Sequence, residues 1–157
     1  MTIGQVLALL GAAIAVIGAG MGSSKGVGIA GETSAGVSTE NPEVNSKLLV
    51  LQLLPATQGI YGFLIAVIVL INTNVLGGAM ADVGLYQGLG ILMGCLPIGL
   101  VGYFSGAKQG KVAAAAMIMT GQRPEMSGKG ITMTVMVETY AVLALLVSFL
   151  VVNAIQL

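Results

Sequence analysis

The chain has 157 residues, 56% of them hydrophobic and 8% charged, with six basic and six acidic side chains that cancel at neutral pH. An ordinary soluble domain is about 25% charged, so this composition excludes a water-covered globule and reads as an integral membrane protein. Histidine is absent and cysteine occurs once, which excludes an imidazole base, a histidine metal site and an intrachain disulfide, and the balanced charge offers no footprint for nucleic acid.

The first apolar stretch, "MTIGQVLALLGAAIAVIGAG", lacks the basic flank of a signal peptide and is read as a mature spanning helix. Four stretches lie near the ~20 residues that cross a bilayer, at roughly 3–22, 48–71, 84–106 and 131–152. The first and third are expected to continue as helices beyond the membrane, through "SSKGVGIAG" and "AKQGKVAAAAMIM". Along the first, Gly18, Gly22 and Gly26 recur every four residues, with Gly20, Ser24 and Gly28 on the neighbouring face; the third carries Gly102, Gly106 and Gly110. Small residues at this spacing let helix backbones approach closely. Two such faces point to neighbours on both sides, hence a ring of identical protomers; tight packing within one bundle is the plainer alternative.

The connections fall at "STENPEVNSK" (38–47), "NTNVLGGAMADVG" (72–84) and "GQRPEMSGK" (121–129). Pro42-Glu43 with Lys47 reappears as Pro124-Glu125 with Lys129, an offset of 82 that also pairs Thr57 with Thr139 and sets Ala56 opposite Glu138. Upstream, "AGMGSSK" (19–25) resembles "SGAKQGK" (105–111) at an offset of 86, which implies four extra residues in the first connection. The expected fold is therefore an all-α membrane protein of four transmembrane helices in two duplicated hairpins, residues 1–76 without an acid and 77–157 with Glu138. All six basic residues lie in or beside the first and third connections. The positive-inside rule then puts both hairpin loops in the cytoplasm and both termini outside a multi-pass cell-membrane protein.

In the second stretch, "LQLLPATQGIYGF" (51–63) places Thr57, Gln58 and Tyr61 on one broad face, while Pro55 withholds an N–H and loosens the helix beside them. In the third, Cys95 reads as core packing, and Lys108 and Lys111 flank Gln109 on a different face. In the fourth, "VMVETYAVLALL" puts Glu138 within a spanning helix, where a charge costs about 2.5–3.5 kcal/mol on insertion scales. Glu138 lies 14 residues beyond Pro124, Gln109 lies 15 before it, and Gln58 lies 16 beyond Pro42. At ~1.5 Å rise per residue the three stand at nearly one depth. A carboxylate, two amide oxygens, a hydroxyl and a backbone carbonyl form an oxygen cage suited to a hard cation. The alternatives are that the two amides glue helices together, or that Lys108 reaches Glu138 and neutralises it. Glu32, Glu40, Glu43 and Glu125 are solvated loop acids.

The duplicated hairpins, the acid in the fourth helix only, "LLPATQGIYGF", "GAKQGKVAAA" and "MVETYA" resemble the sixteen-kilodalton proteolipid, the c or K rotor subunit of V-type rotary ATPases, over nearly the whole chain. The likeness is greatest to the bacterial Na⁺-translocating branch. It implies Na⁺ ligands at the Leu54 carbonyl, Thr57, Gln58, Gln109 and Glu138, with Tyr61 closing the loaded site on Glu138. It further implies a ring of identical protomers in membrane lipid, turning past a stator subunit and attached at its cytoplasmic loops to central-stalk subunits. Na⁺ (or H⁺) is the cargo, no organic cofactor is needed, and ATP is hydrolysed by other subunits, since this chain has no P-loop. Lys108 departs from the small residue that the pattern has before Gln109. The rival readings are a proton-carrying ring, for which Gln58 and Gln109 are not required, and a small four-helix cation/proton antiporter, against which the absence of Trp counts. A pore-forming structural protein ranks third.

Overall fold

The structure, a computed structural model, describes residues 1–157. Four helices are long and apolar enough to cross a membrane: α1 (Ile3–Glu40), α2 (Pro42–Asn72), α3 (Leu85–Gln122) and α4 (Pro124–Ala154). At 38 residues each, α1 and α3 extend about 57 Å at ~1.5 Å per residue, against ~30 Å of hydrocarbon. Both therefore continue beyond the bilayer as single rods, as their sequences lead one to expect.

Helix ends follow local chemistry. Thr2 caps α1 by accepting from the Gln5 N–H while the Gln5 side chain accepts from the Thr2 N–H, at 3.2 and 2.7 Å. At the other end Asn41 and Arg123 precede prolines, which bars them from helical geometry; their φ/ψ values, −138°/85° and −140°/87°, are nearly the same. The breaks expected over 38–47 and 121–129 thus contract to a single extended residue each. The 72–84 connection is the one true loop, turned by left-handed residues at Asn74 (φ 53°) and Gly78 (φ 83°). It is tied back over the start of α1 by Gln5 Nε2 donating to the Ala81 carbonyl (2.8 Å) and the Thr2 hydroxyl to the Val83 carbonyl (2.9 Å). The opposite end is joined by Lys47 Nζ on the Pro124 carbonyl (2.9 Å) and Asn41 Nδ2 on the Gly121 carbonyl (3.1 Å).

α1 and α3 begin, end and cap at one constant offset of 82 residues. The four extra residues expected in the first connection are not there. A small residue every four positions matches itself when slid by one helical turn, and the offset of 86 is that slide.

α1 runs parallel to α3 along its whole length, and α2 lies across both, with α4 packed on α3 and α2. Glycine makes the closeness possible. A Cβ on Gly106 would stand 2.7 Å from the Gly22 carbonyl carbon, and one on Gly110 would meet the Gly26 backbone. The apolar interior divides into two clusters. One contains Ala8, Ala15, Ile65, Ile98 and Ala144, and the other Ala30, Leu48, Leu51, Ala113 and Met117. Between them lies a polar layer. Large apolar side chains such as Phe63, Met136, Leu143 and Leu150 are exposed on α2 and α4, where lipid can cover them.

The close α1–α3 contact makes a prediction about substitutions. Gly106→Ala should destabilise the protein by about 1–3 kcal/mol through overpacking, whereas Gly36→Ala, where a Cβ would meet nothing within 4 Å, should be neutral or slightly stabilising. Thermal denaturation midpoints in detergent check this, and equal midpoints would contradict the packing.

Candidate functional site

The polar layer draws on all four helices. Pro55 sets its shape first. Without an N–H it cannot continue the α-helical ladder, and α2 passes through a three-ten turn, Leu54–Ala56, before resuming at Thr57. The turn aims Thr57, Gln58 and Tyr61 at α3 and α4. Gln58 and Gln109 are wholly buried, while Glu138 and Tyr61 are half-buried.

One chain of hydrogen bonds links the layer. The Thr57 hydroxyl donates to the Leu54 carbonyl at 2.9 Å and lies 3.4 Å from Gln58 Oε1. Gln58 Nε2 donates to Gln109 Oε1 and, at 3.4 Å, approaches the Ser105 hydroxyl. Gln109 Nε2 donates to the Thr134 carbonyl at 3.1 Å and reaches Glu138 Oε2 at 3.4 Å. Tyr61 Oη donates to Glu138 Oε1 at 2.5 Å. Thr57, Gln58, Gln109, Glu138 and Tyr61 are therefore brought into one assembly from three helices. No buried side-chain nitrogen or oxygen lacks a partner, as low-dielectric surroundings demand.

Two expected features differ. The Leu54 carbonyl is not vacant: it accepts both the backbone N–H and the hydroxyl of Thr57. The carbonyl of Pro55 takes the Ser23 hydroxyl at 2.8 Å. Lys108 is exposed and lines an open hollow of about 330 Å³ with Phe104, Ser105, Val137 and Tyr140, rather than pairing with Glu138. Glu138 borders a separate hollow of about 290 Å³ with Val135, Thr139, Val142 and Leu143. Lys111, Glu32, Glu40, Glu43 and Glu125 are exposed.

Ser23, Ser105 and the Thr134 carbonyl had no part in the sequence reading. The repeat held the signal for the serines. Ser105 donates to the Val137 carbonyl at 3.0 Å just as Ser23 donates to that of Pro55, and both donor and acceptor are displaced by the same 82 residues. The serines staple α1 to α2 and α3 to α4 at the level of the amides.

Chemically, the layer offers a carboxylate, amide oxygens, a hydroxyl and a carbonyl, with no group of three or more His, Cys, Asp or Glu. Such oxygen donors suit a hard monovalent or divalent cation and not a soft transition metal. Glu138 uses two of the roughly four acceptor positions of a carboxylate, so further positions remain. A half-turn of the Gln58 amide exchanges its oxygen and nitrogen and would set that oxygen beside Gln109 Oε1, while Gln109 Nε2 keeps its bond to the Thr134 carbonyl.

Comparison with known proteins agrees in kind. The sequence profile of the ATP synthase C-subunit family matches twice, over residues 10–69 and 92–151. The V-type sodium ATPase subunit K of Enterococcus hirae is 49% identical over 149 residues, covering 95% of this chain and 92% of that protein. The A-type ATP synthase subunit K of Methanocaldococcus jannaschii is 36% identical over 146 residues, covering 92% of this chain and 61% of that protein.

Tyr61 occupies one oxygen of Glu138, so its removal should uncover the acid. Tyr61→Phe is expected to speed modification of Glu138 by a hydrophobic carbodiimide several-fold (about 1 kcal/mol for one hydrogen bond), read by mass spectrometry. An unchanged rate would mean that the hydroxyl does not guard the carboxyl group.

Proposed function

The chain belongs to the ATP synthase C-subunit family, and we propose that it carries Na⁺ on Glu138 as the membrane rotor subunit of a V-type ATPase. It is a multi-pass membrane protein, and its relatives are ion-translocating rotor subunits rather than catalytic ones. The observation that carries the Na⁺ reading is the linked set of two wholly buried amides, a hydroxyl and a carboxylate in an otherwise apolar interior. A proton carrier needs the carboxyl group and one acceptor. A desolvated Na⁺ needs about five or six oxygens, which Leu54, Thr57, Gln58, Gln109 and Glu138 supply between them. The relative named as a sodium ATPase subunit favours the same ion.

Charge neutrality gives the mechanism. Ionised Glu138 and a bound Na⁺ cancel, so a loaded protomer can face lipid without exposing a net charge. Binding requires the Gln58 amide to turn its oxygen to the cation beside Gln109 Oε1, while Gln109 Nε2 stays on Thr134, and the Thr57 hydroxyl to turn from the Leu54 carbonyl. Tyr61 then holds the carboxylate in place across the α2–α4 gap. At the stator a fixed cation, an arginine in the family pattern, competes for Glu138 and releases Na⁺ into a half-channel. ATP hydrolysis in other subunits turns the ring, and reversed ion flow would drive synthesis.

Residues 1–76 and 77–157 act as two hairpins of one protomer, with Ala56 at the place of Glu138 in the first. The basic residues put the ends at Asn41 and Arg123 in the cytoplasm, against the central stalk, and both termini outside.

Glu138→Gln keeps size and removes the compensating charge; transport should be abolished while the ring still forms, and normal flux through a ring of that variant would sink the assignment. Gln58→Ala or Gln109→Ala should weaken Na⁺ dependence of ATPase activity far more than any residual H⁺ coupling. Equal losses of both would make the amides structural glue.

Na⁺ and protons should also compete for the one carboxylate, since a cation binds only its ionised form. Carbodiimide labelling of Glu138 should slow as Na⁺ rises, with less Na⁺ needed at higher pH and K⁺ much less effective. One labelling rate with and without Na⁺ across that pH range would replace this reading with a proton-carrying ring.

A further inference from the structure

Two prolines lie inside spanning helices. Pro55 shapes the polar layer, and Pro97, in the middle of α3, has no part in it. Pro97 has no N–H to give the Met93 carbonyl, and its ring crowds that carbonyl. The chain stays helical from Leu85 to Gln122 all the same, and the rung beside the proline is closed from another helix. The N–H of Ile98, the next residue, donates to Ser148 Oγ of α4 at 3.1 Å, and both residues are wholly buried. α4 comes near enough because position 94 is glycine: a Cβ there would stand 2.9 Å from Val151 Cγ1 and 3.1 Å from Val152 Cγ2. In the first hairpin, 82 residues earlier, Ala15 and Ala66 take the places of Pro97 and Ser148. The proline and the serine are absent together, from the hairpin that also lacks the acid.

Hydrogen bonds hold α4 to α3 on both sides of Glu138. On one side Gln109 Nε2 reaches the Thr134 carbonyl and Ser105 Oγ the Val137 carbonyl. On the other side, about 15 Å further along α4 at ~1.5 Å per residue, Ile98 holds Ser148. Between Glu138 and Ser148 the buried seam of α4 consists of Ala141 and Ala144, whose methyl groups offer no hydrogen bond. Gln109 belongs to the proposed cation cage, so its bonds are remade when an ion exchanges. Ser148 stands outside that cage. Beyond it Gln87 Nε2 holds the Gln156 carbonyl at 2.6 Å, which fixes the far end of α4 at a second point. We propose that Ser148, seated on the rung beside Pro97, is the pivot on which α4 turns when the Tyr61–Glu138 contact opens, and so a positioning residue for Glu138. This rests on the reading of Glu138 as the ion carrier and adds the fixed point about which the carrier moves.

A small turn is enough. On a lever of about 15 Å, tilting α4 by about 10° moves the carboxylate on the order of 2–3 Å, more than its bonds to Tyr61 and Gln109 tolerate. The pivot itself cannot come apart cheaply, because an orphaned N–H at membrane depth is strongly disfavoured. Motion is therefore directed to the other end of the lever, where Glu138 stands. α3 does not yield in its place: α1 backs it at this level, where a Cβ on Gly99 would stand 2.9 Å from the Ile14 carbonyl oxygen. α4 is the least buried of the four helices, so its movement displaces mainly lipid. A hydroxyl suits such a joint, since it accepts the N–H through a range of angles and leaves the helices free to rotate about one point.

The test reads the carboxyl group itself, in assembled rings in native membranes, as the rate at which a hydrophobic carbodiimide labels Glu138 without Na⁺. Ser148→Ala releases the lever, so labelling should quicken at least about fivefold, the scale of one hydrogen bond. Pro97→Ala gives residue 97 an N–H and lets Ile98 return to the Gly94 carbonyl, so Ser148 is no longer needed. The double variant Pro97→Ala, Ser148→Ala should then label within about twofold of Pro97→Ala alone. Thr120→Val removes a hydroxyl of α3 that is equally buried but bonded within its own helix, to the Ala116 carbonyl, and should leave the rate unchanged. An unchanged rate in Ser148→Ala overturns the pivot. So does an equal gain from Thr120→Val, which would mean general loosening, or a gain from Ser148→Ala that persists undiminished in the Pro97→Ala background. If Ser148→Ala forms no ring, the double variant must restore one, and failure of both overturns the proposal. Na⁺ decides the carrier reading separately: labelling of the unaltered protein that ignores Na⁺ sinks that reading, while the ratio of rates between Ser148→Ala and its parent still judges the pivot.

Discussion

Glu138 accepts hydrogen bonds from Tyr61 on α2 and Gln109 on α3 while standing on α4, and the rest of the protomer is arranged to keep those helices within a side chain's reach. An ionisable group at membrane depth has no water to fall back on, so its partners must be held in place by packing. The packing in turn depends on α1. With α1 set backbone to backbone on α3 at Gly22–Gly106 and Gly26–Gly110, α2 can settle over both and present Gln58 to Gln109. Apolar clusters on either side of the layer clamp it at two levels. A larger residue at the α1–α3 contact would act on the carboxylate without touching it, by widening the gap that two amides now span.

Much of this was legible because the chain is punctuated so tightly. Prolines 42 and 124 follow single non-helical residues, so counting residues from them converts directly into depth. Gln58, Gln109 and Glu138 come out level on that count, and in the structure hydrogen bonds join them. Helix direction, by contrast, is not fixed by counting. Ser23 and Ser105 read as small residues in a packing pattern, and their hydroxyls matter only because each faces a carbonyl of the next helix in the chain, α2 or α4. The Leu54 carbonyl was expected to be spare, yet a three-ten turn closes it onto Thr57. The spurious four-residue insertion came from a glycine pattern that is its own image after one turn of helix. Periodic small residues report closeness well and register badly.

The two hairpins share their serine staples, their loop prolines and the threonine that bonds back three residues, at Thr57 and Thr139. They part at the carboxylate. Ala56 replaces Glu138, and Val27 stands where the second hairpin has Gln109. Acid and amide are missing together from the first copy, so what would be a second polar layer is apolar, and nothing there calls for compensation. The divergence of Gly26 from Lys108 belongs to the same asymmetry.

That asymmetry has a mechanical consequence. If Glu138 carries the ion as proposed, four helices share one carrier, so each passing ion would advance a rotor of such protomers through the arc of four helices rather than two. Fewer ions would then cross per revolution, and the work of one revolution would be divided among fewer of them. Each ion is thus driven harder. Such gearing would favour a machine that pushes a few ions up a steep gradient over one that harvests many ions from a shallow one, and it would follow from the alanine and valine that stand in the first hairpin where the second has a glutamate and a glutamine.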